Sequence, residues 1–113
     1  NARDKGYGCL IGAEGMAAHL AGAIKAHSSL PVIGIPMPGG LSGGMDALLA
    51  TVQMPKGVPV ATVAIGSAGA INAAYLAAQI LGIESEEIRN DLIKVREEGV
   101  QAIKNSNQKL SQS

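Results

Sequence analysis

Few residues of this 113-residue chain have chemistry to offer: two histidines, one cysteine, and three stretches rich in glycine, alanine and serine. His19 stands in Ala17-Ala18-His19-Leu20, and His27 precedes Ser28-Ser29. An imidazole moves protons near neutral pH, so a histidine beside a ligand crevice is an acid–base candidate, though a lone histidine also serves structural roles. Both readings are open for His19. His27 falls on the apolar stripe of its helix and reads as structural. Two histidines and one cysteine match neither the count nor the spacing of a metal site. Cys9 lies in an apolar run and reads as a buried thiol rather than a nucleophile. The sequence has no nucleophile elbow, no Walker loop and no G-x-G-x-x-G fingerprint. Nor does it have a paired-carboxylate signature, since the acidic residues gather in the last third, where a solvated helix face accounts for them.

The elements that must position these residues follow from apolar periodicity. Residues 7–12 form a short apolar run ended by glycine and predict a buried strand. Residues 16–27 carry Met16, Leu20, Ala23, Ile24 and His27 on one helical stripe. Residues 31–36, bracketed by prolines, predict a second strand. The loop at 37–44 contains Pro38, Gly39, Gly40, Gly43 and Gly44, and a helix over 45–52 follows, with Ser42 as its expected cap and Asp46 at its positive end. A third strand is expected over 58–65. After a turn at 66–69, a helix over 70–81 is apolar nearly all round and should be buried on more than one side. The last helix starts near Ser85 and passes Ile103, and the polar tail from Asn105 should fray.

This order gives right-handed βαβ units and a parallel sheet, an α/β class. The whole chain reads as one partial domain, with a βα core over 1–82 and a helix and tail over 83–113. Ligands of such sheets bind beyond the carboxyl ends of the strands, where residues 12–22, 36–46 and 66–72 should meet. Two of these stretches open helices, and their free amides would suit a phosphate or carboxylate. Glycine-rich turns also arise for steric reasons alone.

Composition narrows the classes. Nine basic residues balance nine acidic ones, which argues against a nucleic-acid or membrane-surface partner. One cysteine excludes an intrachain disulfide and fits a reducing cytoplasm. No run is long enough for a membrane span, and no signal peptide is visible. There is no Phe or Trp, so a core of small side chains buries little area, and burial against other subunits is expected. Three strands also make a thin sheet, since open doubly wound folds usually have about five or more.

Gly15-Met16-Ala17-Ala18-His19-Leu20-Ala21-Gly22, the strand around Pro31-Val32-Ile33-Gly34-Ile35-Pro36, Leu41-Ser42-Gly43-Gly44-Met45-Asp46 with its helix ending in Gln53-Met54-Pro55, and the run from Gly57 to Gly66 occur in one order. That set resembles the PurE family over roughly residues 6–82. The resemblance implies a flavodoxin-like three-layer αβα fold, here lacking its first two strands, plus a C-terminal helix. It implies a homo-oligomer, an octamer, with shared sites and no metal, flavin or nucleotide cofactor. The implied reaction moves the carboxyl group of N5-carboxyaminoimidazole ribonucleotide to the ring carbon. His19 would be the pocket histidine. Gly15, Ala17, Ala18 and Leu20 would line the carboxylate pocket, Ser42, Gly43 and Asp46 would belong to the closing loop, and Gln53 and Met54 would support it.

The family's phosphate loop and its Ser-Ala-His-Arg segment, which carries the principal acid–base histidine, do not occur in this sequence. Glu14 and Met16 stand where small residues are usual. Two other readings compete: a related carboxylase using free carbon dioxide, and a non-catalytic assembly fragment. In the family fold the first strand lies beside the strand that corresponds to residues 7–12. That edge is therefore expected to be exposed or paired with another polypeptide.

Overall fold

The computed structural model describes residues 6–15, 29–39 and 43–112. Its elements are strands β1 (Leu10–Glu14), β2 (Val32–Pro36) and β3 (Ala61–Thr62), and helices α1 (Met45–Val52), α2 (Ser67–Leu81) and α3 (Glu86–Gln112). The strands form a parallel sheet in the order β1-β2-β3. The expected α/β class and parallel sheet are found. The helix expected over 16–27, including His27, lies outside the described residues.

β2 is the central strand, and all five of its residues are buried. A parallel strand covered on both faces needs an unbroken apolar run, which Val32, Ile33 and Ile35 supply around Gly34. Ile33 and Ile35 pack with Ala73 of α2, and Val63, Leu76, Ala77 and Ile80 close around them. Each fully buried side chain of this size contributes about 1.5–3 kcal/mol. The core is small, as the composition required.

β1 starts and ends later than the sequence suggested, running to Glu14 rather than stopping at Gly12. Cys9, just before it, is half-buried rather than buried. β3 is much shorter than the 58–65 run. Pro59 removes one ladder donor, and Pro36 has no N–H with which to carry the β2 ladder past Gly34. The chain still stays beside β2, because the N–H of Gly66 donates to the Pro36 carbonyl at 2.9 Å.

α2 buries only the face bearing Gly69 and Ala73, whereas Ile71 and Tyr75 are exposed. The expectation of burial on several sides is not met within this chain. α3 opens with the N–H of Ile88 donating to Ser85 Oγ at 3.3 Å, an N-cap at the start that the sequence suggested. Arg89 reaches back to donate to the Gly82 carbonyl at 2.9 Å, satisfying a carbonyl at the end of α2. α3 continues to Gln112, through the tail expected to fray. Gln101 bonds Asn105 at 3.0 Å and Ser111 bonds the Asn107 carbonyl at 2.8 Å, so polar residues here support the helix. Among the described residues, no helix is long and apolar enough to cross a membrane.

Candidate functional site

Because the three described strands are parallel, their carboxyl ends share one side of the sheet. Three described segments leave from there: Gly15 after β1, Met37-Pro38-Gly39 after β2, and the turn from Val63 to Gly66 that opens α2. They are joined to one another. The N–H of Met37 donates to the Glu14 carbonyl at 2.6 Å, and Gly66 bonds Pro36 as above. Gly44, at the cap of α1, has φ +102°, a conformation that side chains resist. A Cβ there would come within 2.8 Å of Ile65 Cγ2 and 3.2 Å of the Met37 carbonyl oxygen. Only glycine lets the first turn of α1 sit this close to the ends of β2 and β3.

The other end of α1 meets β1. Thr51 and Glu14 are both buried, and the Thr51 hydroxyl lies 2.8 Å from Glu14 Oε2 and 2.6 Å from the Ala47 carbonyl. α1 thus reaches from the carboxyl ends of β2 and β3 at its first turn to that of β1 at its last. Gln53 closes the helix, its N–H donating to Leu49 at 2.9 Å, and half-buried Met54 follows. The first intrahelical bonds come from Leu48 to Gly44 in α1 and from Ala70 to Gly66 in α2. The amides of the opening turn of α2 therefore have no partner within that helix, and that arrangement suits an anionic group.

Of the residues singled out from the sequence, the structure places Gly15 at the carboxyl end of β1, Gly43 (φ +65°) and half-buried Asp46 at the opening of α1, and Gln53 and Met54 at its close. His19, Ala17, Ala18, Leu20 and Ser42 lie outside the described residues. The cap position of α1 is held by Gly44 without a side-chain hydrogen bond, where Ser42 was the expected cap. The Glu14–Thr51 pair was missed. Its only sequence signal is a carboxyl residue closing an apolar strand. Two cavities lined by described residues lie elsewhere. One, of about 660 Å³, opens at the amino ends of the strands between Tyr7, Leu30, Pro31 and Ile88. The other, of about 820 Å³, lies between α2 and α3, lined by Tyr75, Gln79, Leu92 and Arg96. Neither touches the carboxyl-end segments.

Comparison with known proteins bears on the same elements. Residues 1–102 match the family model described as AIR carboxylase. The chain is 48% identical over 109 residues to N5-carboxyaminoimidazole ribonucleotide mutase of Bacillus subtilis, covering 96% of this chain and 67% of that protein. It is 49% identical over 106 residues to the mutase of Saccharolobus solfataricus, covering 84% of this chain and 66% of that one. The mutase of Escherichia coli K12 is 48% identical over 92 residues, or 81% of this chain and 54% of its own length. The chain thus spans between about half and two-thirds of these relatives. A match across nine-tenths of the sequence, joined to a parallel sheet with glycine-bound carboxyl ends, settles its kinship: the chain belongs to the AIR carboxylase family.

Proposed function

We propose that this chain forms part of the site of an N5-carboxyaminoimidazole ribonucleotide mutase, an isomerase of de novo purine biosynthesis. The carbamate N–C bond of the substrate breaks, and the carbon dioxide released stays in the pocket. The neighbouring ring carbon then attacks it to form the new C–C bond, and the ring proton passes by way of a histidine to the exocyclic nitrogen. His19 is the pocket histidine, distinct from the family's principal acid–base histidine, and Gly15, Ala17, Ala18 and Leu20 line the pocket with it. Ser42, Gly43 and Asp46 close over it, and Gln53 and Met54 support that closure. Small apolar neighbours exclude water and keep carbon dioxide in place.

The observation that carries this reading is the meeting of Gly15, Gly44 and the opening of α2 at one end of the sheet, in a chain 48–49% identical to named mutases. Gln53-Met54-Pro55 favours the mutase over a carboxylase that takes free carbon dioxide. The test supplies either the carbamate ribonucleotide, or aminoimidazole ribonucleotide with bicarbonate, and follows carboxyaminoimidazole ribonucleotide. Product from the first alone is expected, and product from the second at a comparable rate would favour the carboxylase. No turnover of either would favour a non-catalytic assembly role. We further propose a homo-octamer acting in the cytoplasm. The exposed apolar faces of α2 and α3 support the assembly, and a lone Cys9 fits a reducing compartment.

A further inference from the structure

We propose that Glu14 is a positioning residue of this site, anchoring three of its segments to the carboxyl end of β1. Its exposure is 2%, in a strand whose other members are apolar or glycine. Its backbone carbonyl accepts from the N–H of Met37, which fixes where the chain leaves β2. Its side chain meets Thr51 and so fixes the last turn of α1, two residues before Gln53. Gly15, the next residue, begins the stretch that carries His19. A shift of Glu14 therefore moves the departure of the histidine segment, the β2 loop and the Gln53-Met54 corner together.

The Thr51 hydroxyl has one hydrogen, and two acceptors lie within 2.8 Å of its oxygen, Ala47 O and Glu14 Oε2. An amide at position 14 would bring hydrogens of its own to that oxygen, leaving the Thr51 hydrogen to Ala47. A glutamine there preserves the link, and an alanine removes it.

The bearing on turnover rests on the mutase reading, but the anchoring does not, so the test has two arms on the full chain. Hydrogen exchange is followed in Glu14→Ala, Glu14→Gln, Thr51→Val and the double variant Glu14→Ala/Thr51→Val. Thr51→Val keeps the shape of the helix face if Glu14→Ala folds poorly. In Glu14→Ala and Thr51→Val the amides of Gln53 and Met54 should exchange about tenfold faster, as one lost buried hydrogen bond implies, while those of α2 hold. The double variant should lose less than the sum of the two single ones, because both remove the shared Glu14–Thr51 contact. Glu14→Gln should stay near the parent. In the kinetic arm, kcat should fall about tenfold in Glu14→Ala with KM little changed, and recover in Glu14→Gln.

Exchange that quickens equally in α1 and α2, or not at all, would overturn the anchor. So would a Glu14→Gln variant as impaired as Glu14→Ala. Faster exchange in α1 with unchanged kcat would overturn the positioning role. A parent chain that does not turn over the carbamate would sink the mutase reading instead, and the exchange arm would still decide the anchor.

Discussion

At the scale of single residues, the site depends on a few side chains and on the absence of others. In the complete enzyme, His19→Asn should lower kcat and kcat/KM together, by about tenfold or more, with ribonucleotide affinity held, because the residue is assigned to the carboxyl group and not the phosphate. Steady-state kinetics checks this, and an unchanged kcat would return His19 to a structural role. Gly69 shows the opposite kind of constraint. A Cβ there would overlap the Ala64 carbonyl oxygen and press on Ile35 Cγ2 at 3.3 Å. Gly69→Ala should cost about 1–3 kcal/mol, the usual penalty of overpacking. Gly99→Ala, where nothing lies within 4 Å of the new methyl, should stabilise α3 by roughly 0.5–1 kcal/mol. Urea denaturation at one fixed protein concentration compares the two, and equal shifts would contradict this packing of α2. Gly44 was readable as a loop residue, but its contact with Ile65 was not. The Glu14–Thr51 bond was hidden for the same reason, since it joins positions 37 residues apart.

Elements were legible where proline and glycine mark their ends. β2 and α1 begin and end within a residue of expectation, because Pro31, Pro36 and Gly44 fix the backbone on either side. β3 was over-read, since an apolar run says nothing about which amides find partners, and Pro59 and Pro36 withhold two of them. The end of β1 was under-read, because a glutamate normally signals solvent and the threonine that receives it belongs to another element. Among the described residues β1 pairs with β2 alone, at the edge expected to be exposed or paired with another polypeptide. The alternation of a parallel ladder turns the amides of Leu10, Gly12 and Glu14 toward β2 and those of Ile11 and Ala13 away. Ile11 is 46% exposed. Hydrogen exchange should therefore find Ile11 and Ala13 faster than Gly12 and Ile33. Equal, strong protection in a chain shown to be monomeric would mean that this edge is covered.

For the molecule as a whole, the question is why a fold with so small a core would be stable. A compact monomer of 11.4 kDa exposes about 5,800 Å² and has a radius of gyration near 13 Å. This chain exposes 7648 Å², and its radius of gyration is 17.4 Å. Part of the excess is α3, whose 27 residues extend about 40 Å. The exposed surface includes Ile71 and Tyr75 on α2 and Ile93, Val100, Ile103 and Leu110 on α3, too much apolar area for helices that face only water. The excess of roughly 1,850 Å² is on the scale of a specific interface, which buries about 1,200–2,000 Å² in total. In the proposed assembly, association covers these faces and offsets the small core. Light scattering at micromolar concentration should give a multiple of 11.4 kDa, and the melting temperature should rise with concentration. Ile103→Glu, on a face 64% exposed within the chain, should lower the measured mass while leaving helical circular dichroism largely intact. A monomer that unfolds cooperatively at a concentration-independent temperature would show that the small core suffices and that α3 needs no partner.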